Sequence, residues 1–166
     1  MKTEIPETIT EEEFMKILRK VRKKHHKISF ILGFYGCMRI SEVVNLKQEN
    51  IDRGQKIIRI KQGKGNKDRN IPLPPQAVRG LSHVPIKCGV RALQIAFKNY
   101  SKSVLKKDLH FHQLRHSGAT YYLNVKNWST RQVQQLLGHS KITTTEIYLH
   151  VTPQVLINKM WEDNVQ

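Results

Sequence analysis

The sequence predicts a mainly α-helical fold that contains one small antiparallel β-sheet. Apolar residues recur at helical spacing through most of the chain. Only one region, at residues 56–73, combines β-branched residues with a glycine-rich turn. A length of 166 residues fits one domain with a core that needs no disulfide or structural metal. We therefore expect residues 1–166 to form a single domain.

Three helices are predicted in the first third of the chain. Thr10 followed by Glu13 is a capping box, which favours the start of an amphipathic helix. The apolar stretch Ile28–Met38 predicts a buried helix. Ser41 with Glu42 is suited to cap a third helix.

The middle of the chain predicts a β-hairpin. Residues 56–60 are β-branched and charged, and residues 70–73 resemble a returning strand after the glycine-rich turn. Pro72 cannot donate a hydrogen bond to a β-ladder. The second strand must therefore be short or lie at an edge of the sheet.

The second half of the chain predicts further helices. Apolar residues recur at helical intervals from residue 90 to 100 and again from 114 to 125. Ser129 is a cap for a shorter helix that Gly138 ends. A last helix begins with Pro153 at its first position.

Charge indicates the class of partner. The net charge is +16 and the sequence pI is near 10.1, which favours nucleic acid over a membrane surface. The longest apolar stretch, Ile28–Met38, is too short to span a bilayer, and the first residues lack the apolar segment of a signal peptide. Two distant cysteines indicate a reducing cytoplasm. We expect no membrane association.

Four short stretches carry the chemistry. They are residues 38–42 (Met-Arg-Ile-Ser-Glu), 63–67 (Gly-Lys-Gly-Asn-Lys), 112–116 (His-Gln-Leu-Arg-His) and 136–139 (Leu-Leu-Gly-His), the last followed by Tyr148. Guanidinium groups match the oxygens of a phosphodiester and stay charged at neutral pH. A lysine can protonate a leaving oxygen, and a tyrosine offers a nucleophilic hydroxyl. The inventory suits phosphoryl transfer without a metal ion.

In their order and spacing, these stretches resemble the catalytic domain of the tyrosine recombinases, the phage integrase family, and are nearest to its Xer-type members. The resemblance covers roughly Thr8 to Thr152 and is specific because it is a composite of several motifs. It implies the fold of an integrase catalytic core. It also implies site-specific DNA recombination or integration, in which strands are cleaved and rejoined through a 3′-phosphotyrosyl intermediate.

The resemblance assigns a role to each catalytic candidate: Arg39, Lys64, His112, Arg115, His139 and Tyr148. By this resemblance the two arginines clamp the scissile phosphate, and His139 helps to stabilise the transition state. Lys64 protonates the leaving 5′ oxygen, His112 assists proton movement, and Tyr148 is the nucleophile. One departure is that Cys37 precedes Met38 and Arg39 where the family usually has glycine, which lowers the backbone's freedom there.

The expected partner is double-stranded DNA, on which the chain would assemble as a dimer or tetramer. DNA contacts are expected from the basic residues Arg22, Lys23, Lys24, Lys67 and Arg69. The resemblance covers the catalytic domain alone, so we expect the amino-terminal core-binding domain of the family to be absent. Residues 153–166 are expected to pack into a neighbouring protomer or, alternatively, onto their own domain. The expected location is the cytoplasm of a prokaryotic cell, at the nucleoid.

No cofactor and no metal site is expected. His110, His112 and His116 cluster in sequence, but only positions 112 and 116 share a helix face. Two other functions stay open, a type IB topoisomerase-like strand transferase and a non-catalytic DNA-binding module. Covalent labelling of DNA at Tyr148 separates the module from both enzymes.

Overall fold

The computed structural model describes residues 7–61, 68–138 and 153–162. Within these ranges the chain forms α-helices and a three-stranded sheet, which confirms the predicted fold class. The helices are α1 (Glu11–Lys20), α2 (Lys24–Phe34), α3 (Ile40–Val44), α4 (Val90–Leu105), α5 (Phe111–Asn124), α6 (Thr130–Leu137) and α7 (Pro153–Glu162). The strands are β1 (Ile51–Asp52), β2 (Ile57–Ile60) and β3 (Arg69–Pro72), and 3₁₀ turns cover Gln48–Asn50 and Pro75–His83.

The core is built around the crossing of α2 and α5. Phe30, Phe97 and Phe111 are buried and make edge or tilted ring contacts across these helices and α4, and the buried Phe34 makes a tilted contact with Tyr121 of α5. Gly118 allows the close approach, because a Cβ at this position would collide with the carbonyl oxygen of Phe34. The crossing brings the first turns of α5 against the chain that leaves α2.

The capping box predicted for α1 is confirmed. The hydroxyl of Thr10 accepts a hydrogen bond from the N–H of Glu13 at 3.2 Å, and the Glu13 carboxylate accepts from the N–H of Thr10 at 2.9 Å. Two backbone donors that the helix leaves unpaired are thus satisfied.

The second helix differs from its prediction. It covers Lys24–Phe34 rather than Ile28–Met38, although all of the predicted residues except Ile31 are buried. The helix ends at Phe34 with Tyr35 as its C-cap, and two residues further on Cys37 takes a left-handed backbone conformation, with φ 48°. This turn exposes the Cys37 carbonyl to α5.

The third helix begins two residues earlier than an N-cap at Ser41 predicts. Its N-cap is Arg39, and the helix starts at Ile40. Glu42 lies at the third helical position, where its carboxylate accepts the N–H of Arg39 at 2.8 Å. Glu42 therefore caps the helix from within.

The predicted hairpin is present, and a short strand precedes it. The sheet has the order β1-β2-β3 with antiparallel pairing, in which Ile58 lies opposite Ile71 and Ile60 opposite Arg69. β3 is an edge strand of four residues that ends at Pro72, as predicted. The sequence pattern did not indicate β1, which has only two residues.

Local signals define the later helices well. Ser129 caps α6 by accepting from the N–H of Gln132 at 3.2 Å, and Gly138 ends the helix with φ 72°. Both features match the prediction, because a left-handed C-cap favours glycine.

The last helix packs on its own domain. Leu156, Ile157 and Met160 are buried, and the indole N–H of Trp161 donates to the carbonyl oxygen of Leu73 at 3.0 Å. The Lys56 ammonium lies 4.1 Å from the centre of the Trp161 ring. Exchange of this segment between protomers remains a prediction.

Candidate active site

Arg115 is the buried centre of the site. Its side chain lies on α5, one turn before Gly118, and the residue is only 4% exposed. Its Nη1 donates to the carbonyl oxygen of Cys37 at 2.6 Å, and its Nη2 donates to that of Leu137 at 2.7 Å. The guanidinium is therefore fixed between the end of α2 and the end of α6.

Glu42 gathers two more arginines. Its Oε1 accepts from Nη1 of Arg39 at 3.0 Å and from Nη1 of Arg69 at 2.6 Å. Its Oε2 accepts from Nη2 of Arg69 at 2.9 Å, so that the Glu42–Arg69 pair is bidentate. The Arg39 side chain keeps 40% of its surface exposed, whereas the Glu42 side chain keeps 7%. Arg39 thus faces solvent from a buried anchor.

Arg69 lies under the end of α6. A Cβ at Gly138 would come within 2.6 Å of Arg69 Nε and 3.1 Å of its Cζ. The Arg69 side chain is 10% exposed, and its Nε is buried without a hydrogen-bond partner among the described residues. Glycine at position 138 is needed both for its backbone conformation and for this contact.

The surroundings of Arg115 and Glu42 lower the pKa of each group. Burial lowers the pKa of Arg115 to about 10, with further lowering by the charges of Arg39 and Arg69. Burial opposes ionisation of Glu42, but hydrogen bonds from Arg69 and Arg39 outweigh it, and the pKa lies below its ordinary value. At neutral pH the cluster therefore holds three cations and the Glu42 anion, an arrangement that attracts an anionic oxygen.

His112 lies on α5, in the same helix as Arg115. Its ring stands perpendicular to that of His116, with centroids 4.5 Å apart. Burial lowers the pKa of His112, and the charges of His116, Arg115 and Arg39 lower it further. His112 is consequently neutral at pH 7, the state in which an imidazole accepts a proton.

Cys37 stands at the position where the resemblance implies glycine. Its left-handed φ of 48° is a conformation that glycine adopts without strain and other residues adopt at a cost of about 1–3 kcal/mol. Burial raises the pKa of its thiol to about 12, despite the nearby Arg115 and Arg69. The thiol is therefore protonated, and what Cys37 contributes to the site is its carbonyl oxygen.

The structure brings together some of the predicted residues. Arg39, His112 and Arg115 converge. Lys64, Lys67, His139 and Tyr148 lie outside the described residues.

The residues predicted to contact DNA divide into two groups. Arg22, Lys23 and Lys24 are exposed at the start of α2. Arg69 was expected on the DNA-facing surface, but its contacts are internal, because its fork is engaged by Glu42 and its stem by Gly138. Arg69 is therefore not an exposed surface residue like Arg22, Lys23 and Lys24.

Sequence reasoning missed two contributors. Glu42 was assigned only to helix capping, and the carbonyl oxygens that hold Arg115 have no side-chain signal. The spacing of Arg39 and Glu42, three residues apart at a helix start, could have indicated their ion pair.

No group of three or more histidine, cysteine or acidic side chains suited to a metal ion occurs in residues 7–61, 68–138 and 153–162. In the same ranges no helix is long and apolar enough to cross a membrane.

Comparison with known proteins identifies the family. The chain belongs to the phage integrase family, whose model matches residues 7–155. It is similar to a tyrosine recombinase of Thermosipho africanus, with 33% identity over 93% of this chain and 60% of the relative. It is also similar to the tyrosine recombinase XerA of Thermococcus onnurineus, with 32% identity over 92% of this chain and 61% of the relative.

A solved structure supports the same fold. Lambda integrase superposes with a TM-score of 0.68 at 18% identity, over 91% of this chain and 52% of that one. The chain spans about three fifths of the length of the curated relatives that it matches.

Proposed function

We propose that this chain is the catalytic domain of a site-specific DNA recombinase, which cleaves and rejoins strands through a 3′-phosphotyrosyl intermediate. The observation that carries the proposal is the convergence of Arg39, Arg115 and His112 in a chain of the phage integrase family. The relatives' name, tyrosine recombinase, supports the same chemistry.

The arginines bind the scissile phosphate. As the nucleophile adds, negative charge grows on the two non-bridging oxygens of the phosphodiester. Arg115, held by two carbonyl oxygens, offers a fixed positive charge, and the exposed part of Arg39 approaches from solvent. A preorganised cation stabilises the transition state without rearranging during the reaction.

The covalent step is a balanced exchange. The Tyr148 oxygen forms a bond to phosphorus while the bond from phosphorus to the 5′ oxygen breaks. Neutral His112 accepts the tyrosine proton, Lys64 donates a proton to the leaving oxygen, and His139 helps to hold the phosphate. Rejoining is the reverse attack by a 5′ hydroxyl, so no external energy source is required.

The partner that fits this chemistry is double-stranded DNA. A lambda integrase of the same fold was solved as a tetramer bound to a Holliday junction, and the net charge of +16 supports a polyanionic partner here. We infer assembly of several protomers on DNA, with Arg22, Lys23, Lys24 and Lys67 at phosphates. With such a substrate, we infer that the chain acts at the nucleoid in the cytoplasm.

A nicked DNA substrate tests the proposal. Cleavage near a nick releases a short strand, which traps the covalent intermediate, and a denaturing gel then shows protein attached to DNA. We expect an adduct with the wild-type chain and none with Tyr148→Phe. The matched variant Tyr100→Phe removes a hydroxyl from α4 and should retain the adduct.

The outcomes separate the alternatives. An adduct that survives in Tyr148→Phe contradicts the nucleophile, and DNA binding without any adduct indicates a non-catalytic module. Relaxation of supercoiled DNA without exchange between two DNA molecules indicates a topoisomerase-like enzyme. Adduct formation should also persist in EDTA, and a loss restored by zinc or magnesium would contradict the metal-free scheme.

A further inference from the structure

One carboxylate in the site serves two arginines of different exposure. Both oxygens of Glu42 bond to Arg69, and each also accepts a hydrogen bond from Arg39, from its side chain at one oxygen and its backbone at the other. The exposed arginine comes from the start of α3, and the buried one comes from the edge strand β3. The hairpin and the phosphate-facing arginine are therefore joined through Glu42.

The shared carboxylate of Glu42 affects how much positive charge Arg39 presents to a phosphate. A carboxylate next to Arg39 alone would neutralise it and compete with a phosphate for its donors. The second guanidinium offsets that charge, because Arg69 bonds to Glu42 in the shorter, bidentate geometry. With Arg69 bonded to the same carboxylate, Glu42 compensates the positive charge of Arg39 less than it would in an isolated Arg39–Glu42 pair.

The packing of Arg69 keeps the bridge in place. Its stem lies against Gly138 at the end of α6, and its fork is covered, with 10% of the side chain exposed. Arg69 cannot turn outward to solvent without leaving both contacts. The backbone of α6 that it touches also supplies, at Leu137, a carbonyl acceptor for Arg115.

We propose that Arg69 is a positioning residue, which holds Glu42 so that Arg39 retains the charge and orientation needed to bind the scissile phosphate. The proposal rests on the strand-cleavage function proposed above. Arg69 does not itself touch the phosphate. Its effect on cleavage should therefore depend on the charge of the scissile phosphate.

Two substrates distinguish positioning from folding. One is a nicked DNA with an ordinary scissile phosphodiester, and the other carries a methylphosphonate there, which has one charged oxygen fewer. A variant that has merely lost stability cleaves both more slowly. A variant in which Glu42 neutralises Arg39 loses rate mainly on the charged substrate.

The variants are Arg69→Met, Arg69→Lys and the control Arg59→Met. Arg59 lies on the neighbouring strand β2 and pairs with Asp52 at 2.8 Å, so it matches Arg69 in type and partner but not in location. We expect the ratio of phosphodiester to methylphosphonate cleavage rates to fall at least about tenfold in Arg69→Met. Arg69→Lys, which keeps the charge but not the fork, should fall less, and Arg59→Met should equal the wild type.

An equal loss on both substrates, or no loss, would overturn the proposal. If Arg69→Met does not fold, Arg69→Lys takes its place. A folded lysine variant that cleaves both substrates more slowly, with the wild-type ratio of the two rates, would show that Arg69 contributes to stability alone.

A second measurement is independent of cleavage. The ¹⁵N signals of the Arg39 guanidinium, assigned by their loss in Arg39→Lys, report how tightly Glu42 holds it. We expect slower rotation of the Arg39 guanidinium in Arg69→Met, since Glu42 then no longer divides its hydrogen bonds between Arg39 and Arg69, and unchanged signals would contradict the bridge. If the wild-type chain forms no adduct, the proposed strand cleavage fails, and the Arg39 signals alone decide the positioning.

Discussion

Two arginines on adjacent strands of one hairpin are both paired with carboxylates, yet their surroundings differ. Arg59 meets Asp52 at 2.8 Å with side chains 43% and 27% exposed. Arg69 meets Glu42 at 2.6 Å with side chains 10% and 7% exposed. The first pair lies at a turn of the sheet, and the second lies beneath the candidate active site.

Burial decides what such a pair does. Water screens the exposed pair, and pairs of this kind contribute about 0–1 kcal/mol to stability. A buried pair is costly to desolvate and costly to break, because removal of one partner leaves the other charge buried alone. Glu42–Arg69 is therefore poor evidence of extra stability, but it fixes the position of whatever it contacts, which here includes Arg39.

Breaking each pair from its acidic side should give the largest contrast. Glu42→Ala leaves the Arg69 guanidinium buried without its bidentate partner, so we expect a loss of roughly 3–5 kcal/mol in the free energy of unfolding. Asp52→Ala should lose less than about 1 kcal/mol. Urea unfolding at neutral pH measures both, and similar losses would remove the distinction between the pairs.

The glycines beside the two pairs give a smaller contrast. Gly138→Ala places a side chain at φ 72° and pushes against Arg69, and we expect a loss of at least about 1–2 kcal/mol. At Gly54 a Cβ would lie 3.6 Å from Asp52 Oδ1, an ordinary contact, so Gly54→Ala should stay within about 0.5 kcal/mol. Thermal unfolding of both variants checks this, and equal shifts would contradict the close packing of Arg69.

The smallest expected effect is the pH dependence of stability that His112 contributes beside the buried arginines. Because the folded pKa of His112 lies below its ordinary value of 6.5, the unfolded chain binds more protons in the interval between the two. Stability should therefore decrease as the pH falls below about 6.5. His112→Gln should flatten this slope between pH 7 and pH 5 in urea unfolding, and a slope identical to wild type would show that His112 is not involved.

Local signals in the sequence predicted much of the fold. The caps at Thr10 and Ser129 and the glycine at position 138 act within one helical turn, so the boundaries of α1 and α6 follow from neighbouring residues. The end of α2 did not, because Cys37, shortly after the helix, takes a left-handed conformation that its residue type does not favour and that no local signal indicates.

The candidate site shows the same contrast between residues that local motifs predict and contacts that only the fold creates. Arg39, His112 and Arg115 were predicted from motif order, and the structure brings them together. The internal role of Arg69 was missed because its partner Glu42 lies 27 residues away in the sequence, and nothing in the spacing of a strand and a helix start indicates that pair. The basic residues around Arg69 favoured a DNA contact in the sequence, whereas in the fold its side chain is only 10% exposed.

The most direct measurement compares strand cleavage by Arg39→Ala and Arg59→Ala on one nicked DNA substrate under single-turnover conditions. The two variants remove the same side chain, but only Arg39 is anchored by Glu42 beside Arg115 and His112. We predict that covalent adduct forms at least about 100-fold more slowly in Arg39→Ala and at the wild-type rate in Arg59→Ala. Equal rates in the two variants would contradict a phosphate-binding site at the arginine cluster.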